Sequence, residues 1–378
     1  MKSNYAMPHQ YTVYKSDISY FSGKLEAYLR YKEIPRTLVD CNRETLIMLA
    51  RKTGTAKMPA IELANGQWLC DTTPMILWLE QQHPEQTIIP SSPALAFVAL
   101  LLEDYGDEWL WRPAMWWRWV PKTSRVTLGR RIATEMVSST LSIPLGFYFG
   151  HRQLKHWLWD DGVNASNWEA VRDMFYRELA FLEPLFEQQD YLLGSHPSMA
   201  DFGYFASMFR HFGNDPISAE VMRREGPNTY EWLSRMWNAK HSKLSPDITW
   251  MWPQADYWQP LLRRICSDYL PYLHQNAIAF SSGKKRFNYQ GETLAFPNTV
   301  TTDYRVWCRQ QLQTRFYDLS ANEQQQVNQL FAKAGGLSSL HQDGVVDSGR
   351  DQQPLPIDPQ KMSTKPSWAQ QIFGQPRN

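Results

Sequence analysis

A carboxylate and a hydroxyl, Asp71 and Thr72, stand where the sequence predicts the beginning of a helix. The first turn of a helix leaves backbone N–H groups without partners inside the helix, and the helix dipole favours negative charge at that end. A carboxylate of a ligand can therefore bind there. Aspartate is also a common N-cap residue, so the alternative is that this pair serves only to begin the helix.

Two short strands and a tight turn precede this helix. Apolar runs predict strands over 59–63 and 67–70, joined by Asn65 and Gly66. Asn-Gly between two apolar runs is a strong hairpin signal, because both residues tolerate the positive φ of a type I′ turn. The sequence therefore predicts a β-hairpin that runs directly into a helix.

The bond between Met58 and Pro59, where the first of these strands begins, is a candidate for the cis form. X-Pro bonds are the only ones that become cis at small cost. Proline at the first position of a strand removes one ladder donor, which is tolerated there. A cis bond would leave the Met58 amide and carbonyl open to an extended peptide, which would add as a further strand.

The order of predicted elements favours a thioredoxin-like arrangement. Strand, helix, strand and helix precede the hairpin and its helix, and the handedness of crossover connections leaves few other ways to assemble them. The earlier elements are predicted over residues 10–15, 23–32, 36–40 and 44–51.

The segments KMPAIEL and LCDTTPMILWLEQQHP resemble the second half of the N-terminal domain of glutathione transferases. The resemblance implies that glutathione is bound as a co-substrate. Its peptide would lie along Met58 and Pro59, with the γ-glutamyl end on Asp71 and Thr72. The resemblance also implies a homodimer.

The resemblance covers roughly residues 9–215 and sets the expected domains. It implies an α/β thioredoxin-like domain over 9–83, followed by an all-α helical-bundle domain over 94–280. Proline and serine mark residues 84–93 as the linker between them.

The segment SDISYFSGK is similar to the stretch of zeta and omega transferases that activates the thiol, with Ser19 at the activating position and Tyr20 where many members have proline. A hydroxyl at a helix N-terminus can donate to a glutathione sulfur and favour its thiolate. Tyr14, Tyr20 and Ser22 remain alternatives for this role. Ser19 would otherwise be an ordinary helix N-cap.

A tryptophan-rich helix is predicted within residues 101–119, where two arginines lie among five tryptophans. In the family that the chain resembles, this helix borders the pocket for the second substrate. Arg112 and Trp116 are therefore expected to line a pocket for an apolar or aromatic electrophile. The alternative is that these rings form the core of a helix bundle.

The segment from Ser198 to Asp201 resembles the capping motif that opens the central helix of the transferase C-terminal domain. Asp201 is expected to reach back to the backbone N–H of Ser198, so the motif stabilises a helix end and performs no chemistry.

The resemblance fades beyond about residue 225. Residues 281–340 are expected to be a helical extension, and residues 341–378, rich in Gln, Asp and Pro, a tail that is disordered or draped over the surface. Such an extension leaves room for a second hypothesis, a binding or scaffold protein without turnover. The stretch SYFSGKLEAYLRYK is similar to the metaxins, which illustrate that possibility.

Composition excludes several other classes of protein. A net charge of +1 over 378 residues gives no basic surface for nucleic acid. The four cysteines lie far apart without metal-ligand spacing, which is typical of reduced thiols in a cytoplasmic protein. No window is apolar enough for a membrane span.

Overall fold

A mixed four-stranded sheet with helices against it forms the N-terminal part of the chain. The computed structural model describes residues 11–136, 141–352 and 355–360. The elements here are β1 Tyr11–Lys15, α1 Tyr20–Tyr31, β2 Arg36–Asp40, α2 Arg43–Thr53, β3 Ala60–Glu62, β4 Trp68–Cys70 and α3 Thr72–Gln82. The strand order is β2-β1-β3-β4, with β1 parallel to β2 and antiparallel to β3. This confirms the thioredoxin-like arrangement.

The hairpin between β3 and β4 forms, but its turn differs from the predicted one. Gly66 has a φ of +80°, whereas Asn65 is not among the residues with positive φ, so the turn is not type I′. The Gly66 N–H donates to the Leu63 carbonyl at 2.9 Å, and the Leu63 N–H donates to the Gln67 carbonyl at 2.9 Å. The longer loop places the left-handed conformation on glycine alone, which costs little.

A mostly helical region follows the sheet domain and confirms the predicted class. Its helices are α4 Pro93–Asp104, α5 Trp111–Trp119, α6 Lys122–Met136, α7 Ser142–Leu154, α8 Trp168–Gln188, α9 Met199–Ser207, α10 Pro216–Glu225, α11 Pro227–Asn238, α12 Ala255–Arg264 and α13 Leu270–Ser281. Every residue of α9 is buried, and this helix packs against α1 and α4. It therefore joins the core of the helical region to the sheet domain.

The start of α9 carries the predicted capping box. The Ser198 N–H and Oγ donate to Asp201 Oδ2 at 2.9 and 2.7 Å, and the Leu192 N–H donates to Oδ1 at 2.8 Å. All these groups are buried, so water cannot replace the carboxylate. Asp201 thus holds the preceding loop as well as the helix end.

An Asp201→Ala substitution should lower the free energy of unfolding by about 2–3 kcal/mol, because two buried N–H donors would lose their acceptor. Urea denaturation measures this. The matched control is the exposed capping box of Ser320 and Glu323, where Glu323→Ala should cost no more than about 1 kcal/mol. Equal losses at the two sites would contradict the proposed importance of burial.

The C-terminal extension contains a β-hairpin that was not predicted. The hairpin consists of β5 Arg286–Gln290 and β6 Ala295–Val300. The helices of the extension are α14 Asp303–Tyr317, α15 Ala321–Ala332 and α16 Ser338–His341. Tyr289 and Phe296 are buried and pack against the rings of Trp109 and Tyr272. The prediction of a purely helical extension over 281–340 was therefore wrong, because these rings stabilise a short sheet by packing on distant residues.

The chain after α16 returns to the N-terminal sheet. Trp68 in β4 and Ile357 form an antiparallel bridge, with N–H to carbonyl distances of 2.9 and 2.7 Å in the two directions. The described residues of the predicted tail are thus draped over the surface. Residues 361–378 lie outside the described part of the chain.

A buried cluster of charges ties the extension to the helical region. Asp161 accepts bonds from Arg305 at 2.6 and 2.9 Å and from Arg112 Nη2 at 3.2 Å. Side chains of all three are at most 7% exposed. Because Arg305 lies in α14, these bonds fix the extension against the helical region.

Within the described ranges, no helix combines the length and apolar character needed to cross a membrane.

Candidate active site

Two cavities meet beside Met58, one of about 500 Å³ and one of about 360 Å³. Phe21, Lys57 and Met58 line both of them. Ser19 lies in the wall of the larger cavity, and Asp71 lies in the wall of the smaller one. The residues expected to activate a thiol and those expected to hold its γ-glutamyl end therefore face adjoining spaces.

The Met58-Pro59 bond is cis, as the sequence analysis anticipated. Both residues line the smaller cavity, and Pro59 directly precedes β3. Among the described residues, the Met58 main chain makes no backbone hydrogen bond. Its amide and carbonyl are thus available to an extended peptide beside the sheet.

Asp71 has an unusual backbone and is not an ordinary helix cap. It precedes α3 with a φ of +73°, and its side chain does not bond to the first turn of that helix. Its Oδ1 instead accepts a hydrogen bond of 3.1 Å from the Tyr304 hydroxyl in α14. Non-glycine residues in such conformations cluster at functional sites. The alternative that Asp71 is only a cap therefore does not explain the geometry.

The charge on Asp71 depends on its surroundings. Burial raises the pKa of Asp71, whereas the nearby Arg350 and the hydrogen bond from Tyr304 act in the opposite direction. Thr72 follows at the first position of α3 and is 4% exposed. The site thus combines an acid with a helix N-terminus, which suits a ligand end that carries both signs of charge.

Ser19 is the N-cap of α1 and also borders the larger cavity. Its Oγ accepts a hydrogen bond of 3.3 Å from the Ser22 N–H, and the residue is half-buried. A serine hydroxyl has one donor in addition to its acceptor sites. Capping uses an acceptor site, so the same hydroxyl can donate its proton to a sulfur in the cavity.

The other three hydroxyls are directed elsewhere. Tyr20 lines the larger cavity, but its hydroxyl donates to the Gly106 carbonyl at 2.7 Å, and burial raises its pKa well above the usual range. Burial and the hydrogen bond that Tyr14 donates to Glu62 at 3.0 Å raise the pKa of Tyr14 to about 12. Ser22 is fully buried and does not line the larger cavity, and its Oγ accepts from the Ser16 N–H at 3.2 Å. This geometry favours Ser19 over the alternatives that the sequence left open.

Helix α5 borders the larger cavity, but through residues other than those expected. Trp111, Met115 and Trp119, spaced four residues apart, lie in its wall, and Trp157 packs edge-on against Trp111 with centroids 5.3 Å apart. Trp116 packs instead on Trp117.

Arg112 lies outside the larger cavity, contrary to expectation. Its guanidinium is fully buried beside Asp161 and lies 4.3 Å from the ring centre of Tyr272 and 4.2 Å from that of Phe296. The residue therefore belongs to the buried cluster of charges that holds the extension. The prediction that Arg112 lines the electrophile pocket was wrong.

Helices α6 and α7 add polar groups to the larger cavity that the sequence analysis did not identify. Glu135 accepts a 3.1 Å bond from Ser16 Oγ, and burial raises its pKa. Arg152 is half-buried, which lowers its pKa. His211, also in the wall, has its pKa lowered well below the usual range by burial and by Arg118. No local motif marks these residues, because only the packing of α6, α7 and the π-helical turn Met208–Phe212 brings them to the cavity.

Protein thiols near the two cavities are poor nucleophiles. Burial raises the pKa of Cys41, beside the larger cavity, and of Cys70, beside the smaller one, to about 12 in each case. Over the described residues, no group of three or more His, Cys, Asp or Glu side chains is arranged to hold a metal ion.

Comparison with known proteins finds two matching domains. Residues 13–87 match the N-terminal domain of glutathione S-transferases, and residues 144–239 match their C-terminal domain. No curated protein matches the chain.

Similar solved structures include a GST-like protein from Pseudomonas syringae, which is 20% identical, with coverage of 62% of this chain and 69% of that one and a TM-score of 0.43. The beta-etherase LigF from Sphingobium sp. strain SYK-6 is 18% identical, with coverage of 60% and 94% and a TM-score of 0.42. A glutathione S-transferase from Methylobacterium radiotolerans, in complex with glutathione sulfonate, is 15% identical, with coverage of 64% and 99% and a TM-score of 0.36.

Proposed function

Because this chain belongs to the glutathione S-transferase family, we propose that it binds glutathione and transfers it, as the thiolate, to an apolar or aromatic electrophile. The observation that carries the proposal is the junction of the two cavities at Met58. The smaller cavity offers groups for an amino-acid end, and the larger one offers a hydroxyl beside an apolar wall. We place the reaction in the cytoplasm and the chain in a homodimer.

Binding would use the main chain just before β3 and the start of α3. The glutathione peptide lies beside the Met58 main chain, next to the cis Met58-Pro59 bond, and pairs with its amide and carbonyl. The γ-glutamyl carboxylate meets the N–H groups at Thr72, where the helix dipole favours it. The γ-glutamyl ammonium meets Asp71, which supplies the opposite charge.

Ser19 would then activate the thiol. Its hydroxyl donates to the glutathione sulfur, and the N-terminus of α1 stabilises negative charge there. Both effects favour the thiolate over the thiol and lower a pKa that is about 8.5 for a free thiol. The sulfur electron pair forms a bond to an electrophilic carbon, and the leaving group departs with the electrons of the broken bond.

The wall of the larger cavity suits an electrophile with an apolar or aromatic body. Trp111, Met115 and Trp119 offer ring faces and a flexible thioether from one helix. Aromatic rings bind other rings by stacking and edge contacts. Arg152 and Glu135 add charges of both signs to the wall, which would orient a polar substituent.

A Ser19→Ala variant is expected to lose thiol activation while it keeps glutathione binding. In the unmutated protein, we expect the bound thiol to titrate about two pH units below a free thiol. In the variant its pKa should return towards about 8.5, and kcat/KM near neutral pH should fall about 10- to 100-fold. Ultraviolet absorbance of the thiolate against pH measures the first effect, and a panel of aromatic electrophiles measures the second.

Two further variants separate activation from helix capping. Ser19→Thr keeps both the cap and the hydroxyl, whereas Ser19→Gly keeps a tolerable cap without a hydroxyl. We expect Ser19→Thr to retain a lowered thiol pKa, and Ser19→Gly to behave as Ser19→Ala does in activity with a smaller loss of stability. Wild-type activity in Ser19→Gly would refute the proposed role.

The extension supports a second candidate function, binding of glutathione without turnover. Tyr304 lines the smaller cavity and donates to Asp71, so the site is more enclosed than a sheet domain alone would make it. A protein of this kind would be retained on immobilised glutathione, yet show no activity with any electrophile of the panel. Measured turnover that depends on Ser19 would exclude this candidate.

A further inference from the structure

The C-terminal extension forms one wall of the smaller cavity. Asp71 and Thr72 from the sheet domain line this cavity together with Thr302, Tyr304 and Arg350 from the extension. Asp71 and Tyr304 are separated by 233 positions in the sequence but joined by one hydrogen bond. The proposed γ-glutamyl site is therefore completed by a segment outside the two matched domains.

Arg350 is held at this wall by its neighbours. Its Nη1 donates to Asp303 Oδ2 at 2.8 Å, and its guanidinium carbon lies 5.0 Å from the ring centre of Tyr304. The adjoining Asp351 accepts a bond of 2.7 Å from the indole N–H of Trp307. These contacts anchor the segment to α14 and present a cation to the cavity.

The charges around the cavity indicate what this cation can bind. Three carboxylates, those of Asp71, Glu108 and Asp303, lie in the wall, and Arg350 is one of two cations among the described lining residues. A zwitterionic amino-acid end needs an acid for its ammonium and a cation or N–H groups for its carboxylate. Arginine binds a carboxylate through two parallel bonds, which a helix N-terminus alone does not provide.

We infer that Arg350 binds the α-carboxylate of the γ-glutamyl residue of glutathione, so that the extension takes part in recognition of the co-substrate. The inference rests on the proposed function, since it deepens the assignment of the same site. Arg350 and Asp71 line the same cavity, so the two residues bind the two opposite charges of one amino-acid end. The extension then determines specificity as well as fold.

Two ligands and one substitution test this role. Isothermal titration calorimetry compares glutathione with 4-aminobutyryl-cysteinyl-glycine, which lacks only the α-carboxylate in question. We expect Arg350→Gln to weaken glutathione binding about 10- to 100-fold, because a charge-assisted pair is lost. Binding of the analogue, which has no carboxylate to lose, should change less than about twofold.

Arg286→Gln is the matched control for this experiment. Arg286 has the same side-chain exposure as Arg350, 38%, and also pairs with one aspartate, Asp160, at 2.6 Å. It lies in β5, outside the smaller cavity, so its substitution should leave binding of both ligands unchanged.

The outcomes separate this inference from the proposed function. Equal weakening of glutathione and analogue by Arg350→Gln would overturn the role of Arg350, while the proposed function would stand. Failure of the unmutated protein to bind glutathione would overturn the proposed function and the inference together. A loss confined to glutathione supports both.

Discussion

A Lys24→Met variant is expected to lose about 3–5 kcal/mol of its free energy of unfolding, because two buried carboxylates would lose their shared cation. The Lys24 ammonium donates to Glu103, to Asp107 Oδ2 at 2.5 Å and to Thr73 Oγ1 at 3.1 Å. Its side chain is fully buried, and those of Glu103 and Asp107 are 3% and 6% exposed. Methionine keeps much of the side-chain volume but cannot balance the charge.

This loss of stability should depend on pH. Burial is the main cause that raises the pKa of Asp107 in the folded protein, and the Lys24 charge opposes the rise. Without Lys24, that folded-state pKa moves further above the unfolded value of about 4, so the folded variant binds more protons than the unfolded chain. Stability of the variant is then greatest at acidic pH and falls as pH rises through the folded pKa.

Urea denaturation of wild type and variant at pH 5 and pH 8 measures both the size of the stability loss and the direction of its pH dependence. The difference in free energy of unfolding between the two proteins should be smaller at pH 5 than at pH 8. Lys333→Met is the control, because the pair of Lys333 with Asp256 is largely exposed and its loss should change the free energy of unfolding little at either pH. A difference in free energy of unfolding that grows towards acidic pH would contradict the assignment of Lys24 as the balancing charge.

An Asp161→Asn variant is expected to lose about 3–5 kcal/mol as well, since Arg112 and Arg305 would share a buried site without their common carboxylate. Asparagine has nearly the same shape, so the loss reports charge rather than packing. Because Arg305 lies in α14, the extension should also become more mobile relative to the helical region. Thermal denaturation measures the first effect, and limited proteolysis within α14 measures the second.

The neighbouring residue provides the control for this experiment. Asp160 pairs with Arg286 at 2.6 Å, but its side chain is 37% exposed, so Asp160→Asn should cost at most about 1 kcal/mol. Similar effects of the two substitutions would show that burial of the Asp161 cluster has no energetic importance.

Local signals in the sequence sufficed for the hairpin and cis bond of the sheet domain and for one helix start in the helical region. Asn-Gly between apolar runs marked the hairpin, Pro59 marked the cis bond, and Ser198 with Asp201 marked the start of α9. Each signal involves residues within a few positions of one another. Backbone geometry and capping are decided over that range, so these predictions did not require knowledge of the packing.

The prediction of which α5 residues face the cavity was wrong for a structural reason. A π-helical turn, Tyr105–Trp109, separates α4 from α5 and alters the rotation of the following residues. Pro113 lies in the first turn of α5, where its missing N–H costs little, so it does not interrupt the helix. The spacing of tryptophans along the sequence alone could not reveal this shift, and Trp111 rather than Trp116 faces the cavity.

The role of the extension could not be predicted because it depends on contacts between residues that are far apart in the sequence. Tyr304 reaches Asp71 across 233 positions, and Arg305 reaches Asp161 across 144. Periodicity describes which side of a helix is apolar, but not which distant residue it meets. The tail, interpreted from composition as disordered or draped, ends its described part by pairing with β4.

The bridge between Trp68 and Ile357 has a consequence for how the protein is made. Synthesis proceeds from the N-terminus, and domains generally fold as they emerge from the ribosome. The outer strand of the first domain therefore remains without its neighbour until Ile357 has been synthesised. Exposed strand edges promote pairing between nascent molecules, so chaperone protection matters for this protein during that interval.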